Sequence, residues 1–135
     1  MVRVAVVFVA LAALLPSAFG DGGFADSCTS AALLTGQTNL MFTQCVLGSA
    51  GITAHIDLNS VLNNNNGKLY CGGSGAYNSC SGCSITNYCG VGCGLKHQAI
   101  LTCTCHRSNQ TLTTTSIDLN GCCGYHNGAL RCAVN

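Results

Sequence analysis

The chain contains a second version of itself. His55-Ile56-Asp57-Leu58-Asn59 returns sixty-one residues later as Ser116-Ile117-Asp118-Leu119-Asn120. Asn66-Gly67-Lys68-Leu69-Tyr70-Cys71 returns at the same offset as Asn127-Gly128-Ala129-Leu130-Arg131-Cys132. Upstream, Ser27-Cys28 answers to Ser79-Cys80 at an offset of 52, the difference being taken up mainly by an insertion around residues 87–94. An internal repeat constrains architecture before any single residue is read. Two copies are too few for a solenoid, so the repeats, about 24–71 and about 76–132, are expected to complete each other's core.

The local signals are β. Leu40-Met41-Phe42-Thr43-Gln44-Cys45 and Ile100-Leu101-Thr102-Cys103-Thr104-Cys105 alternate in part, and residues 112–117 are rich in Thr and β-branched side chains. Asn66-Gly67 and Asn127-Gly128 are hairpin-turn signals, because Asn and Gly tolerate positive φ. No stretch after residue 20 carries a sustained apolar stripe at helical period, and at most one or two helical turns are expected after the Asp-Leu-Asn motifs. The predicted fold class is therefore all-β.

Residues 1–20 read as a signal peptide. Arg3 supplies the positive start, residues 4–15 are unbroken apolar, and Pro16-Ser17-Ala18-Phe19-Gly20 supplies the small-residue cleavage pattern. Twelve apolar residues span about 18 Å as a helix, short of the ~30 Å of bilayer hydrocarbon. The mature chain is expected to be one domain, 21–135, secreted and without membrane insertion. All twelve cysteines fall within it, and an even count in a small exported chain reads as a disulfide framework. The need is physical: with no Trp and 6% aromatic residues the core is modest, and each bridge adds roughly 2–4 kcal/mol. Charged residues make up 7% of the chain and the net charge is +1, so no basic stripe exists for nucleic acid.

Residues 56–69 carry a resemblance. Ile56-Asp57-Leu58-Asn59-Ser60-Val61-Leu62, three Asn residues and then Asn66-Gly67-Lys68-Leu69 look like the signature of the cyanovirin-N homology (CVNH) family. Phe24 four residues before Cys28, and the sequence pairs Cys28/Cys45 and Cys80/Cys105, are similar to the openings of that family's two repeats. The resemblance runs from about Phe24 to Cys132. It implies a pseudo-symmetric fold, each half a three-stranded sheet plus a β-hairpin, with strands traded between repeats. It also implies bridges Cys28–Cys45 and Cys80–Cys105. It implies binding of high-mannose glycans, often through terminal α(1→2)-linked mannose, at up to two sites near opposite ends, without metal, cofactor or reaction.

Eight cysteines depart from the family pattern. Cys83 and Cys103 flank the Cys80/Cys105 pair on what should be adjacent strands, and are expected to be bridged. Cys71 and Cys132 hold equivalent positions at the repeat ends, and a bridge between them would restrict opening of the Gly72-Gly73-Ser74-Gly75 linker. Without it, a domain-swapped dimer stands beside the monomer. The pairing of Cys71, Cys89, Cys93, Cys122, Cys123 and Cys132 stays open, since sequence does not fix connectivity.

Carried over residue by residue, the resemblance implies a main carbohydrate site at Asn63, Asn64, Asn66, Ser74, Gly75, Asn78, Ser79, His106, Arg107, Ser108 and Gln110. Such side chains offer donors and acceptors to sugar hydroxyls without strong charge. Asn63 and Asn66 stand where the family has carboxylates and His106 where it has Lys, which predicts weaker or altered specificity. The other site maps to Gly23, Asp26, Ser27, Val46, Gly48, Tyr125, His126 and Asn127. It is the weaker of the two, since Val46 and Gly48 bring no side-chain hydrogen bond and Tyr125 either stacks on a sugar or fills space.

Other chemistries fit less well. Cys80-x-x-Cys83, Cys89-x-x-x-Cys93 and Cys103-x-Cys105, with His97 or His106, have metal-like spacing, but in an oxidising compartment disulfides explain them better. No thioredoxin-like pattern surrounds Cys80-x-x-Cys83. Gly72-Gly73-Ser74-Gly75-Ala76 fails the nucleophile-elbow pattern at Ala76. Asp21, Asp26, Asp57 and Asp118 do not assemble into a glycosidase pair. Asp57 and Asp118 are instead expected to bond local backbone. Two functional readings remain: a mannose-binding lectin, and a cysteine-rich scaffold or effector that keeps the fold without sugar binding. Asn109-Gln110-Thr111 is an N-glycosylation sequon within the main site, where a glycan would cover the site or engage it.

Overall fold

The computed structural model describes residues 22–132. The expected signal peptide lies outside the described residues. Repeat one contains β1 (Cys28–Leu34), β2 (Gln37–Leu47), β3 (Ala50–Asp57), β4 (Leu62–Asn65) and β5 (Lys68–Cys71). Repeat two contains β6 (Cys80–Cys89), β7 (Gln98–His106), β8 (Leu112–Asp118), β9 (Cys123–His126) and β10 (Ala129–Cys132). Each half is an antiparallel three-stranded sheet, β1-β2-β3 or β6-β7-β8, followed by a hairpin, β4-β5 or β9-β10. The hairpins are exchanged. β5 packs against β8 and β10 against β3, and the Leu69 N–H donates to Thr115 Oγ1 at 3.3 Å.

Period-two burial explains why the strands hold their register. Met41, Thr43 and Cys45 of β2, and Ala99, Leu101, Cys103 and Cys105 of β7, are buried at alternate positions. A one-residue slip would turn each set to solvent. They meet Phe24, Leu58, Leu62, Leu119 and Leu130 in a single core drawn from both repeats. Fully burying such a side chain is worth roughly 1.5–3 kcal/mol. Both Asn-Gly pairs form the expected tight turns. Asn66 and Gly67 sit at φ 52° and 87°, and Asn127 and Gly128 at φ 49° and 88°. Two successive positive φ values give the turn that suits right-twisted hairpin strands.

The short helical turns begin inside the Asp-Leu-Asn motifs, at Leu58–Ser60 and Leu119–Gly121, rather than after them. The Asp before each turn caps it: Asp57 Oδ1 accepts from Asn59 N, and Asp118 Oδ1 from Asn120 N, both at 2.9 Å. Two further 3-10 turns, Phe24–Asp26 and Ala76–Asn78, open the two repeats. The motif asparagines hold them. Asn59 Oδ1 accepts from Tyr77 N and Asn120 Oδ1 from Ala25 N, each at 2.8 Å.

Bridges Cys28–Cys45, Cys80–Cys105 and Cys83–Cys103 form as expected. Cys71 and Cys132 are not bridged to each other. Cys71 joins Cys122, Cys132 joins Cys123, and Cys89 joins Cys93. Register gives the reason. Cys132 faces Cys123 across β9-β10, whereas Cys71 faces Leu62 across β4-β5. Cys71 therefore reaches into repeat two, where Cys122 closes the Leu119–Gly121 turn. The insertion leaves the β6-β7 pairing between Cys89 and Gln98. Among the described residues no helix is long and apolar enough to cross a membrane.

Candidate functional site

Three segments converge beyond the ends of β4 and β7 on an open cleft of about 370 Å³. Asn64 and Asn66 come from the first hairpin, Asn78 and Ser79 from the end of a 3-10 turn, and His106, Arg107, Ser108 and Gln110 from the β7-β8 connection. Eight of the sequence-predicted residues are thus brought together. Asn63 and Ser74 do not line the cleft. The Asn63 amide is committed to the Gly72 carbonyl at 2.7 Å, which pins the linker between the repeats.

Asn64 is the hub of the cleft. Its Nδ2 gives one hydrogen to Ser79 Oγ at 2.8 Å and the other to the His106 carbonyl at 2.9 Å, while its Oδ1 accepts from Gly67 N at 2.8 Å. Both amide hydrogens are used, so Asn64 builds the walls and has no proton left for a ligand. Asn66 Oδ1 accepts from Ser108 N at 2.9 Å, tying the hairpin turn to the opposite loop. Arg107 lies along the same wall, its guanidinium donating to Thr113 Oγ1 at 3.2 Å. The loop closes on itself through Arg107 N to the Thr111 carbonyl, 2.8 Å, and Gln110 N to the Arg107 carbonyl, 2.9 Å. Gly67 sits where a Cβ would meet Thr113 Cγ2 at 2.5 Å and Arg107 Cγ at 2.7 Å.

With the walls satisfied, several polar groups are left for a guest. The Asn66 Nδ2 group and the side chains of Asn78, Ser108 and Gln110 have no hydrogen-bond partner among the described residues. They are exposed and rim one cavity. No carboxylate lines it. The lining is an array of amides, hydroxyls, one imidazole and one guanidinium, which suits hydroxyl groups of a neutral or anionic ligand.

The opposite end differs in three respects. Tyr125 stands at the repeat position of Asn64, is half-buried against the core, and its hydroxyl is buried without a hydrogen-bond partner among the described residues. Its ring packs against the core, and it cannot knit the walls as Asn64 does. Asp26 bonds His97 Nδ1, an imidazole at the end of the connection between β6 and β7. Val46 and Leu47 are exposed at 44% and 45% on a two-residue turn, Gly48-Ser49. The span from Cys105 to its partner Thr113 is one residue longer than that from Cys45 to Ile52, and pairing there stops at His106↔Leu112. That change converts a two-residue turn into the five-residue wall of the cleft. Ser27, His126 and Asn127 flank this end, Ser27 with its carbonyl accepting from Val46 N at 3.0 Å.

His97 was not among the predicted site residues; it sits just past the insertion, in the connection between β6 and β7. All twelve cysteines are paired, so none offers a thiolate to a metal. Tyr77 and Tyr88 are pushed up to about 12, Tyr77 by burial and then by the Asp57 charge, Tyr88 by burial. Their hydroxyls donate to the Thr38 and Cys28 carbonyls at 2.8 and 2.7 Å, fastening the repeats together rather than serving the cleft.

The sequence profile of the CVNH domain matches residues 24–95. The chain belongs to the CVNH family. Solved structures share its fold. The CVNH protein of Gibberella zeae is 18% identical with a TM-score of 0.69, covering 84% of this chain and 99% of its own. Microvirin, in complex with mannobiose, is 20% identical with a TM-score of 0.64, covering 82% and 98%. A MoCVNH3 variant in complex with (N-GlcNAc)4 is 17% identical with a TM-score of 0.66, covering 82% and 97%. No curated protein sequence matches the chain.

Proposed function

We propose that this CVNH protein is a secreted, non-catalytic lectin that takes mannose-type oligosaccharides in the cleft between Asn66, Asn78, Ser108 and Gln110. The observation that carries this reading is the division of labour around Asn64. One side chain satisfies the walls, so the neighbouring amides and hydroxyls face the void without internal partners. Walls fixed in advance lower the ordering cost of binding. Related folds captured with mannobiose and with (N-GlcNAc)4 support a saccharide ligand. The missing carboxylates favour broader or weaker recognition than a diol held by Asp or Glu, since an amide offers one acceptor where a carboxylate offers two.

The second reading, a cysteine-rich scaffold or effector without sugar binding, draws its support from the other end, where Val46 and Gly48 bring no side-chain hydrogen bond and the Asp26 carboxylate is engaged by His97. Six disulfides and the leader-like residues 1–20 support export. Residues 21–135 act as one domain and one monomer. Cys71–Cys122 joins the end of repeat one to repeat two across the linker and so opposes strand exchange between chains.

The test is a glycan array probed with oxidised, unglycosylated protein, alongside an Asn66→Ala, Gln110→Ala double variant. Binding to mannose-terminated glycans that the double variant loses supports the reading. Folded protein that binds no glycan refutes it.

A further inference from the structure

Asn109-Gln110-Thr111 is the single Asn-x-Ser/Thr sequence of the chain. It lies in the loop that forms one wall of the cleft. Ser108 and Gln110, on either side of Asn109, both line the cavity; Asn109 does not, and it is exposed. Its Oδ1 accepts from the Thr111 hydroxyl at 2.6 Å and from Thr111 N at 3.1 Å. Its Nδ2 has no partner among the described residues. The loop base is held by Arg107 N to the Thr111 carbonyl, so a bulky group on Nδ2 displaces no packed side chain and breaks no hydrogen bond. A modified Asn requires such a surface position.

We infer that Asn109 is an N-glycosylation site and that the mannose arms of its glycan occupy the adjacent cleft, masking it. Masking rests on the lectin reading; modification does not. In the transfer, Asn109 Nδ2 attacks the anomeric carbon of an oligosaccharide linked to a lipid pyrophosphate. The C–N bond forms and the C–O bond to pyrophosphate breaks. The lipid pyrophosphate leaves with the electron pair, and the amide proton passes to a base. The attachment point is one residue, about 3.8 Å of chain, from each of two cleft-lining residues. A ligand tethered at an effective concentration on the order of 1 mM, competing for a site of roughly 0.1 mM affinity, weakens apparent binding of free sugar about tenfold.

The experiment uses the full chain secreted from a glycosylating eukaryotic host, with Asn109→Gln and Thr111→Ala in parallel. Oxidation of all twelve cysteines, read by mass, certifies each fold. Intact mass should show a glycan on the parent and on neither variant. Calorimetry with mannobiose should show about tenfold tighter binding once an endoglycosidase has trimmed the parent to one N-acetylglucosamine, matching Asn109→Gln. An unmodified Asn109 in secreted parent overturns the site. A glycan whose trimming leaves mannobiose affinity unchanged overturns the masking. Mannobiose binding in no form, trimmed, untrimmed or Asn109→Gln, overturns masking together with the lectin reading and leaves the modification standing on its mass.

Discussion

Asn64→Ala separates the wall-building role of this residue from ligand contact. The substitution removes three hydrogen bonds, to Ser79 Oγ, the His106 carbonyl and Gly67 N. Each is worth roughly 1 kcal/mol net. Exposed His106 regains water, whereas Gly67 is buried and its N–H is left without a partner. The expected loss is about 2–3 kcal/mol. With about 110 ordered residues and ~2.1 cal/mol/K of unfolding entropy each, that is about 10 °C in Tm. Asn64→Asp keeps the acceptor for Gly67 N and loses both donors, so it should fall between parent and Ala. Calorimetric melts of oxidised protein give the stability, and amide exchange at Gly67 gives the local effect. Sugar affinity should fall with the walls, although Asn64 has no proton to offer a ligand. A melt within about 2 °C of the parent, with Gly67 exchange unchanged, refutes the hub.

Three further outcomes follow from particular residues. Gly67→Ala should cost about 2–4 kcal/mol and open the cleft, whereas Gly128→Ala, at the same φ with nothing within 4 Å of the new Cβ, should cost about 1–2; urea midpoints compare them, and equal losses would contradict the clash. Replacing Cys71 and Cys122 together by Ser should lower stability by about 4 kcal/mol by loop entropy, against about 2 for the Cys89/Cys93 pair, because the bridged separations are 51 and 4 residues; denaturant unfolding gives the order. In an absorbance titration Tyr77 and Tyr88 should ionise near pH 12. Their folded values lie above the unfolded value near 10, so their contribution is whole below about pH 10 and is lost as pH rises toward 12. Stability that rises between pH 10 and 12 would contradict that sign.

The repeat, the Asn-Gly turns and the alternating runs sufficed for the sheets and hairpins, because each is a local rule with one geometric solution. Cys83–Cys103 was legible for the same reason: it flanks a cross-strand pair. Cys71 was not, although its signal was present. Leu62 stands at the repeat position of Cys123, so Cys71 lacks the cross-strand cysteine that Cys132 has. Symmetry between repeats suggested a Cys71–Cys132 match where the broken symmetry mattered. At the cleft, the family resemblance carried over position by position named Asn66, Asn78, Ser108 and Gln110, and the structure brings them around one cavity. The roles of Asn63 and Asn64 depended on which amide hydrogens are already spent, and that is a tertiary fact. The dissimilarity of the two ends rests on loop length. One added residue between β7 and β8 raises a wall, and the connection between Cys89 and Gln98 brings His97 against Asp26.

The most direct test is a backbone NMR titration of oxidised, unglycosylated protein with mannobiose. The account predicts shifts clustered at Asn66, Asn78, Ser79, Ser108 and Gln110, with Asp26, Ser27, Tyr125 and Asn127 unmoved. Shifts centred on Asp26 and Tyr125, or none at saturating sugar, would contradict it.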